Sequence, residues 1–190
     1  MLAGGGTPGG ARDAATRLVG QGVTGLVSFG LAGGLDPVLR PGMVVVPGLV
    51  LSDAEVLRAD AGLAARFGGL TEHVLLAGSV VAGDAAAKRR LHEATGAHAI
   101  DLESGAVAAV ARAHGLPFVS VRAICDPAER DLPPAALVAL DRTGAIGLLA
   151  VLRSVLAHPG QIPALLALAG DAARARRALI RMATGDGSRA

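Results

Sequence analysis

The segment PFVSVRAICDP, residues 117–127, constrains this chain more than any other. Val121, Ala123, Ile124 and Cys125 are the residues of a strand buried on both faces. Yet Arg122 lies inside that strand and Asp126 ends it. An unpaired charge in an apolar interior costs several kcal/mol or more, so the fold must bring an anion to Arg122. Side chains at i and i+2 share one face of a strand. Phe118, Ser120, Arg122, Ile124 and Asp126 therefore point one way, and Val119, Val121, Ala123 and Cys125 the other.

Apolar runs alternate with helical patterns along the rest of the chain. The patterning predicts a short helix over 11–20 and a buried strand over 24–30, TGLVSFG. GLAGGLDP (30–37) reads as a tight loop and MVVVP (43–47) as a second strand. Residues 54–67 place Ala54, Val56, Leu57, Leu63 and Ala64 at helical spacing and predict a helix. A third strand is expected over 73–83. A helix follows over 84–96, capped by Asp84 and stopped by Gly96. AHAIDL (97–102) reads as a strand and 103–115 as a helix ended by Gly115. Strands alternating with helices imply an α/β domain with a largely parallel or mixed sheet. Ligands of such sheets bind beyond the carboxyl ends of the strands. GLAGG, DLES and CDP all sit at such ends, and Asp101 or Glu103 is the nearest anion for Arg122.

Composition narrows the function. The 190 residues suit one domain with an appendage, divided here as 1–142 and a C-terminal extension 143–190. Hydrophobic residues at 52% against charged residues at 18% predict a packed core. The single cysteine, Cys125, cannot form an internal disulfide and fits a reducing, cytoplasmic setting. The chain has neither CxxC nor HExxH, so no metal site is expected. A net charge of +2, with no Trp or Tyr and three Phe, argues against a nucleic-acid surface. Neither a signal-peptide pattern nor a long apolar run is present. Gly4, Gly6 and Gly9 match GxGxxG, but the strand that motif needs does not precede them.

Each candidate residue has a plain reading beside a functional one. GLAGGL lets backbone amides approach a ligand, or simply turns the chain. Glu103 could bind a vicinal diol, or favour a first helical turn through the dipole. Asp101 could be an N-cap. Asp126 could be a general acid if burial raises its pKa, or a turn-starting residue before Pro127. Cys125 reads as a small buried residue.

These segments resemble the nucleoside phosphorylase superfamily, especially its methylthioadenosine/S-adenosylhomocysteine nucleosidase branch. The resemblance rests on FGLAGGLDPVLRPGMVVVP (29–47), AGDA (82–85) and AIDLESGAVAAVARAHGLPFVSVRAICDPA (99–128). KRRLHEATGAHAIDLES (88–104), DPAERDLPPAALVAL (126–140) and VLRSVLAHPGQIPALL (151–166) look like the hopanoid-biosynthesis-associated phosphorylases, the adenosylhopane nucleosidases. The resemblance implies a three-layer α/β fold with a central mixed sheet, with no counterpart here of the family's first strand, plus a C-terminal helical extension. It implies Asp126 as the acid that protonates purine N7 and Glu103 as the carboxylate that holds the ribose hydroxyls. Leu102 matches the apolar residue under the sugar. Arg122 and Asp101 match the pair that orders the nucleophile side. Gly33, with Gly30, Ala32 and Cys125, is expected along the nucleoside. No cofactor is implied. The acceptor is water or phosphate, and family members are commonly homo-oligomers.

Three departures stand out. The family's first strand carries a water-activating acid that has no counterpart here. Leu31 replaces a frequent serine of the glycine loop, and Ala86 replaces an aromatic residue that stacks on adenine. A wider, more apolar pocket would suit a lipid-linked nucleoside. In the tail, Leu148, Leu149, Leu152, Val155 and Leu156 recur at helical spacing, and Arg174, Arg176, Arg177 and Arg181 mark a final basic helix. Residues 144–183 are expected either to pack on the core or to touch the inner membrane peripherally.

Overall fold

The computed structural model describes residues 1–52, 55–79, 81–139 and 148–185. The boundary expected at 142/143 lies outside them, as do residues 144–147 of the expected tail stripe. Helix α1 (Pro8–Gly20) precedes strand β1 (Leu26–Gly34). Strands β2 (Val44–Val45), β3 (Pro47–Ser52) and β4 (Glu55–Arg58) follow, then helix α2 (Ala61–Ala65) and strand β5 (Thr71–Ala77). Helix α3 (Ala85–Thr95), strand β6 (Ala99–Asp101), helix α4 (Ser104–Ala113) and strand β7 (Phe118–Asp126) complete the sheet region. Helices α5 (Pro134–Ala139), α6 (Leu148–Ala157) and α7 (Ile162–Thr184) close the described chain.

The seven strands form one mixed sheet in the order β2-β7-β1-β6-β5-β3-β4. β7 lies parallel to β1 and antiparallel to β2, and β1 meets β6 antiparallel at Gly33 and Gly34. β7 follows the two-residue period expected of it. Phe118 and Ile124 join Ala15, Ala108 and Ala111 of α1 and α4 in one core. Val119, Val121 and Ala123 join Ala64 of α2 and Ala175 and Leu179 of α7 in another. Helices thus cover both faces, and α7 supplies part of one cover rather than standing apart.

Four expectations are corrected. Residues 55–58 are not helical, because they pair with β3 in an antiparallel hairpin, Ser52 with Glu55 through Leu49 with Arg58. Asp60 caps α2 by accepting from the Leu63 amide at 2.7 Å, so the helix begins only after it. GLAGG is not a loop: β1 continues through Gly34, held in parallel register by β7. The third strand ends at Ala77, and β6 ends at Asp101, shorter than the runs expected for both. The cap and stop of α3 are as read: Asp84 accepts from the Ala87 amide at 2.7 Å, and Gly96 adopts φ 67°.

Candidate active site

Gly30 is the first key to the site. It stands opposite Arg122 in the β1–β7 register, and a Cβ there would lie 2.3 Å from Arg122 Nη1. The glycine therefore makes room for a buried guanidinium. Arg122 is 1% exposed. Its Nη2 meets Asp101 Oδ2 at 2.5 Å, Ser28 Oγ at 2.5 Å and Ser104 Oγ at 2.9 Å. Ser104 Oγ also lies 2.8 Å from Asp101 Oδ2 and 2.8 Å from Ser120 Oγ. The Ser104 amide donates to Asp101 Oδ2 at 3.1 Å, so Asp101 also serves the start of α4. This is the anion that the sequence demanded. A buried ion pair with its remaining groups hydrogen-bonded avoids the penalty of isolated charge.

Asp126 has a different environment. A register slip sets Ala32 opposite Ile124 but Gly33 opposite Asp126, leaving Cys125 as the extra residue. Such bulges re-aim side chains at strand ends. Asp126 Oδ2 meets Lys88 Nζ at 2.6 Å, and both side chains are buried. Asp126 Oδ1 is buried without a hydrogen-bond partner. Burial pushes the acid above the usual carboxylate range, while the Lys88 ammonium opposes that rise. Burial also pushes the Cys125 thiol up to about 11, helped by the charge of Asp126. Cys125 is therefore a thiol near neutral pH and a poor nucleophile.

Glu103 sits where the chain turns from β6 into α4. Its Oε1 accepts from the Gly6 amide at 2.9 Å. A Cβ at Gly4 would lie 2.5 Å from the same oxygen, so the N-terminal glycines close over this carboxylate. Asp101 and Glu103, the two candidate anions for Arg122, are thus separately engaged, one by Arg122 and the other by Gly6.

A cavity of about 570 Å³ connects these groups. Asp101, Leu102, Glu103, Cys125 and Asp126 line it, with Ala32 and Gly33. Arg122 and Gly30 do not line it; Arg122 is tied to the lining residue Asp101, and Gly30 packs against Arg122. The rest of the wall is apolar: Leu31, Val81, Leu132 and Ala136, with Leu168 and Ala172 from α7. The sequence reading missed the α7 contribution, the serine cluster, Gly6 and Lys88. One signal for Lys88 was available, since it is the only lysine in the chain. Among the described residues, no three His, Cys, Asp or Glu side chains gather as a metal ion requires.

An apolar cavity at strand ends, lined by the acids Asp101, Glu103 and Asp126, has the form of a small-molecule site. Residues 71–157 match the family model described as Phosphorylase superfamily. No curated protein sequence matches the chain. Among solved structures, the chain is similar to futalosine hydrolase of Helicobacter pylori, with TM-score 0.62 and 19% identity. That likeness covers 80% of this chain and 76% of the other. It is also similar to 5'-methylthioadenosine/S-adenosylhomocysteine nucleosidase of Helicobacter pylori in complex with butyl-thio-DADMe-Immucillin-A. There the TM-score is 0.64 at 17% identity, over 94% of this chain and 76% of that one. The family match thus covers residues 71–157, and the likeness to these two nucleosidases is one of fold.

Proposed function

We propose that this chain cleaves the N-glycosidic bond of an adenine nucleoside, with adenosylhopane as substrate. The products would be adenine and ribosylhopane or phosphoribosylhopane. The observation that carries the reading is Asp126: a buried acid with an unpartnered oxygen, in one cavity with Glu103. The names of the similar structures, a futalosine hydrolase and a nucleosidase, support the reaction class.

The resemblance implies the following chemistry, and the positions of these residues around one cavity support it. Asp126, whose acid form burial favours, gives its proton to N7 of the purine. The C1'–N9 electron pair then departs with a neutral base, and the sugar carbon becomes cationic. Glu103 accepts hydrogen bonds from the ribose hydroxyls, and Leu102 packs under the sugar. Asp101, fixed by Arg122, faces the side where water or phosphate adds to C1'. The apolar wall from Leu31 to Leu168 supports a substrate with an apolar substituent. A methylthioadenosine/S-adenosylhomocysteine nucleosidase is the second reading, favoured by the likeness to such an enzyme.

Among the described residues, no helix is long and apolar enough to cross a membrane. On α7, Leu166, Ile180, Arg174, Arg176, Arg177 and Arg181 are exposed. This surface supports peripheral contact with anionic lipid, which salt-sensitive flotation of vesicles would test. A homo-oligomer is also proposed, to be read by light scattering.

The deciding experiment measures adenine release from adenosylhopane and from methylthioadenosine, each with and without phosphate. Release from adenosylhopane that Asp126→Asn abolishes supports the first reading, and its phosphate dependence identifies the acceptor. Release from methylthioadenosine alone selects the second. No release from either substrate would leave a nucleoside- or lipid-binding protein.

A further inference from the structure

Lys88 is the only lysine in the chain; every other basic side chain that is always charged is an arginine. It is 0% exposed. Its ammonium meets Asp126 Oδ2 at 2.6 Å and donates to the carbonyls of Pro127 at 3.0 Å and Arg130 at 2.8 Å. Three N–H donors thus meet three acceptors, all in the segment that ends β7 and follows it. A planar guanidinium with five donors does not match that arrangement. The lysine on α3 therefore fixes both the turn and one oxygen of its aspartate. The other oxygen, Oδ1, has no partner.

We infer that Lys88 is a positioning residue for glycosidic cleavage: it holds Asp126 by Oδ2, reserves Oδ1 for the proton passed to the base, and neutralises the carboxylate left behind. This rests on the reading of Asp126 as the acid. The Oδ1 proton moves to N7, the C1'–N9 electron pair leaves with the base, and solvent reprotonates the carboxylate before the next turnover. The ammonium attracts the carboxylate more strongly than the acid. Its contribution therefore grows toward the transition state and appears in kcat.

The other charged groups around Asp126 are already engaged. Arg130 is paired with Asp171 of α7. Asp101 is held by Arg122 and Glu103 by the Gly6 amide. Cys125 is a neutral thiol. Among the described residues, Lys88 is the cation in contact with Asp126.

The test compares wild type with Lys88→Met. The variant is expected to lose about 100-fold in kcat with little change in KM. Without the Lys88 cation, burial dominates at Asp126, with Arg130 opposing it and Asp171 adding to it less strongly. The pH at which kcat falls on the alkaline side therefore moves upward, even as the rate drops. A lower rate with an unmoved alkaline limb would overturn the inference and leave Lys88 a structural residue. A second measurement uses wild type itself. With one lysine, labelling with ¹⁵Nζ-lysine gives a single side-chain ammonium signal. That signal is expected to report the titration of Asp126 and to lose that inflection in Asp126→Asn. A signal insensitive to Asp126 overturns the inference even if Lys88→Met does not fold. Absence of adenine release by wild type defeats the glycosidase reading separately, because the nitrogen signal reports the pair without turnover.

Discussion

Two buried cation–carboxylate pairs flank the end of β7, and they are built to opposite ends. In the Arg122–Asp101 pair, Ser28 and Ser104 take further hydrogen bonds, and Ser120 joins the cluster through Ser104. Asp101 has hydrogen-bond partners in Arg122 and Ser104. In the Lys88–Asp126 pair the cation is satisfied, but one carboxylate oxygen has no partner. The first pair is closed and carries the fold where strand meets helix. The second is left incomplete at the cavity, where a ligand can complete it. Equal burial and similar partners thus serve different ends, and the count of unsatisfied atoms separates them.

Breaking each pair should give opposite signatures. The largest effect is expected from Asp126→Asn: adenine release should fall by about 10²–10⁴-fold while circular dichroism still shows the folded state. In wild type the protonated acid is the active form. Activity should persist below the raised pKa of Asp126 and be lost as pH rises through it, a limb that a pH–rate profile should show and Asp126→Asn should abolish.

Arg122→Met should do the converse. It strands a buried Asp101 carboxylate and should destabilise the fold by about 3–5 kcal/mol in chemical denaturation. Adding Asp101→Leu removes the stranded charge and should recover much of that loss. A single variant as stable as wild type would show that the closed pair does not hold the fold.

Gly30→Ala should cost less, about 1–3 kcal/mol, because the new Cβ displaces a pinned guanidinium. Its melting temperature relative to wild type measures this. The smallest effect should come from Arg40→Ala. The Arg40–Glu129 pair is 2.8 Å long but largely exposed, so its loss should cost less than about 1 kcal/mol.

The sequence was most legible where one rule applied without competition. The two-residue period of β7 sorted its side chains correctly between two cores. Asp84 and Gly96 bounded α3 because caps act within a few residues. The reading failed at 55–58, where apolar spacing suited a helix but pairing with β3 decided for a strand. It failed again at GLAGG, whose glycines looked like a turn. There, Gly30 accommodates a side chain arriving from the neighbouring strand.

The sequence by itself determined the α/β alternation, the need of Arg122 for a buried anion, and the gathering of polar groups at strand ends. These follow from local periodicity and from the cost of burying charge. Only the tertiary structure decided that Asp101 answers Arg122, that Lys88 answers Asp126, and that Gly6 covers Glu103. It alone brought Leu168 and Ala172 of α7 into the cavity wall. Such pairings depend on strand register and helix docking between distant segments, and no local pattern encodes either.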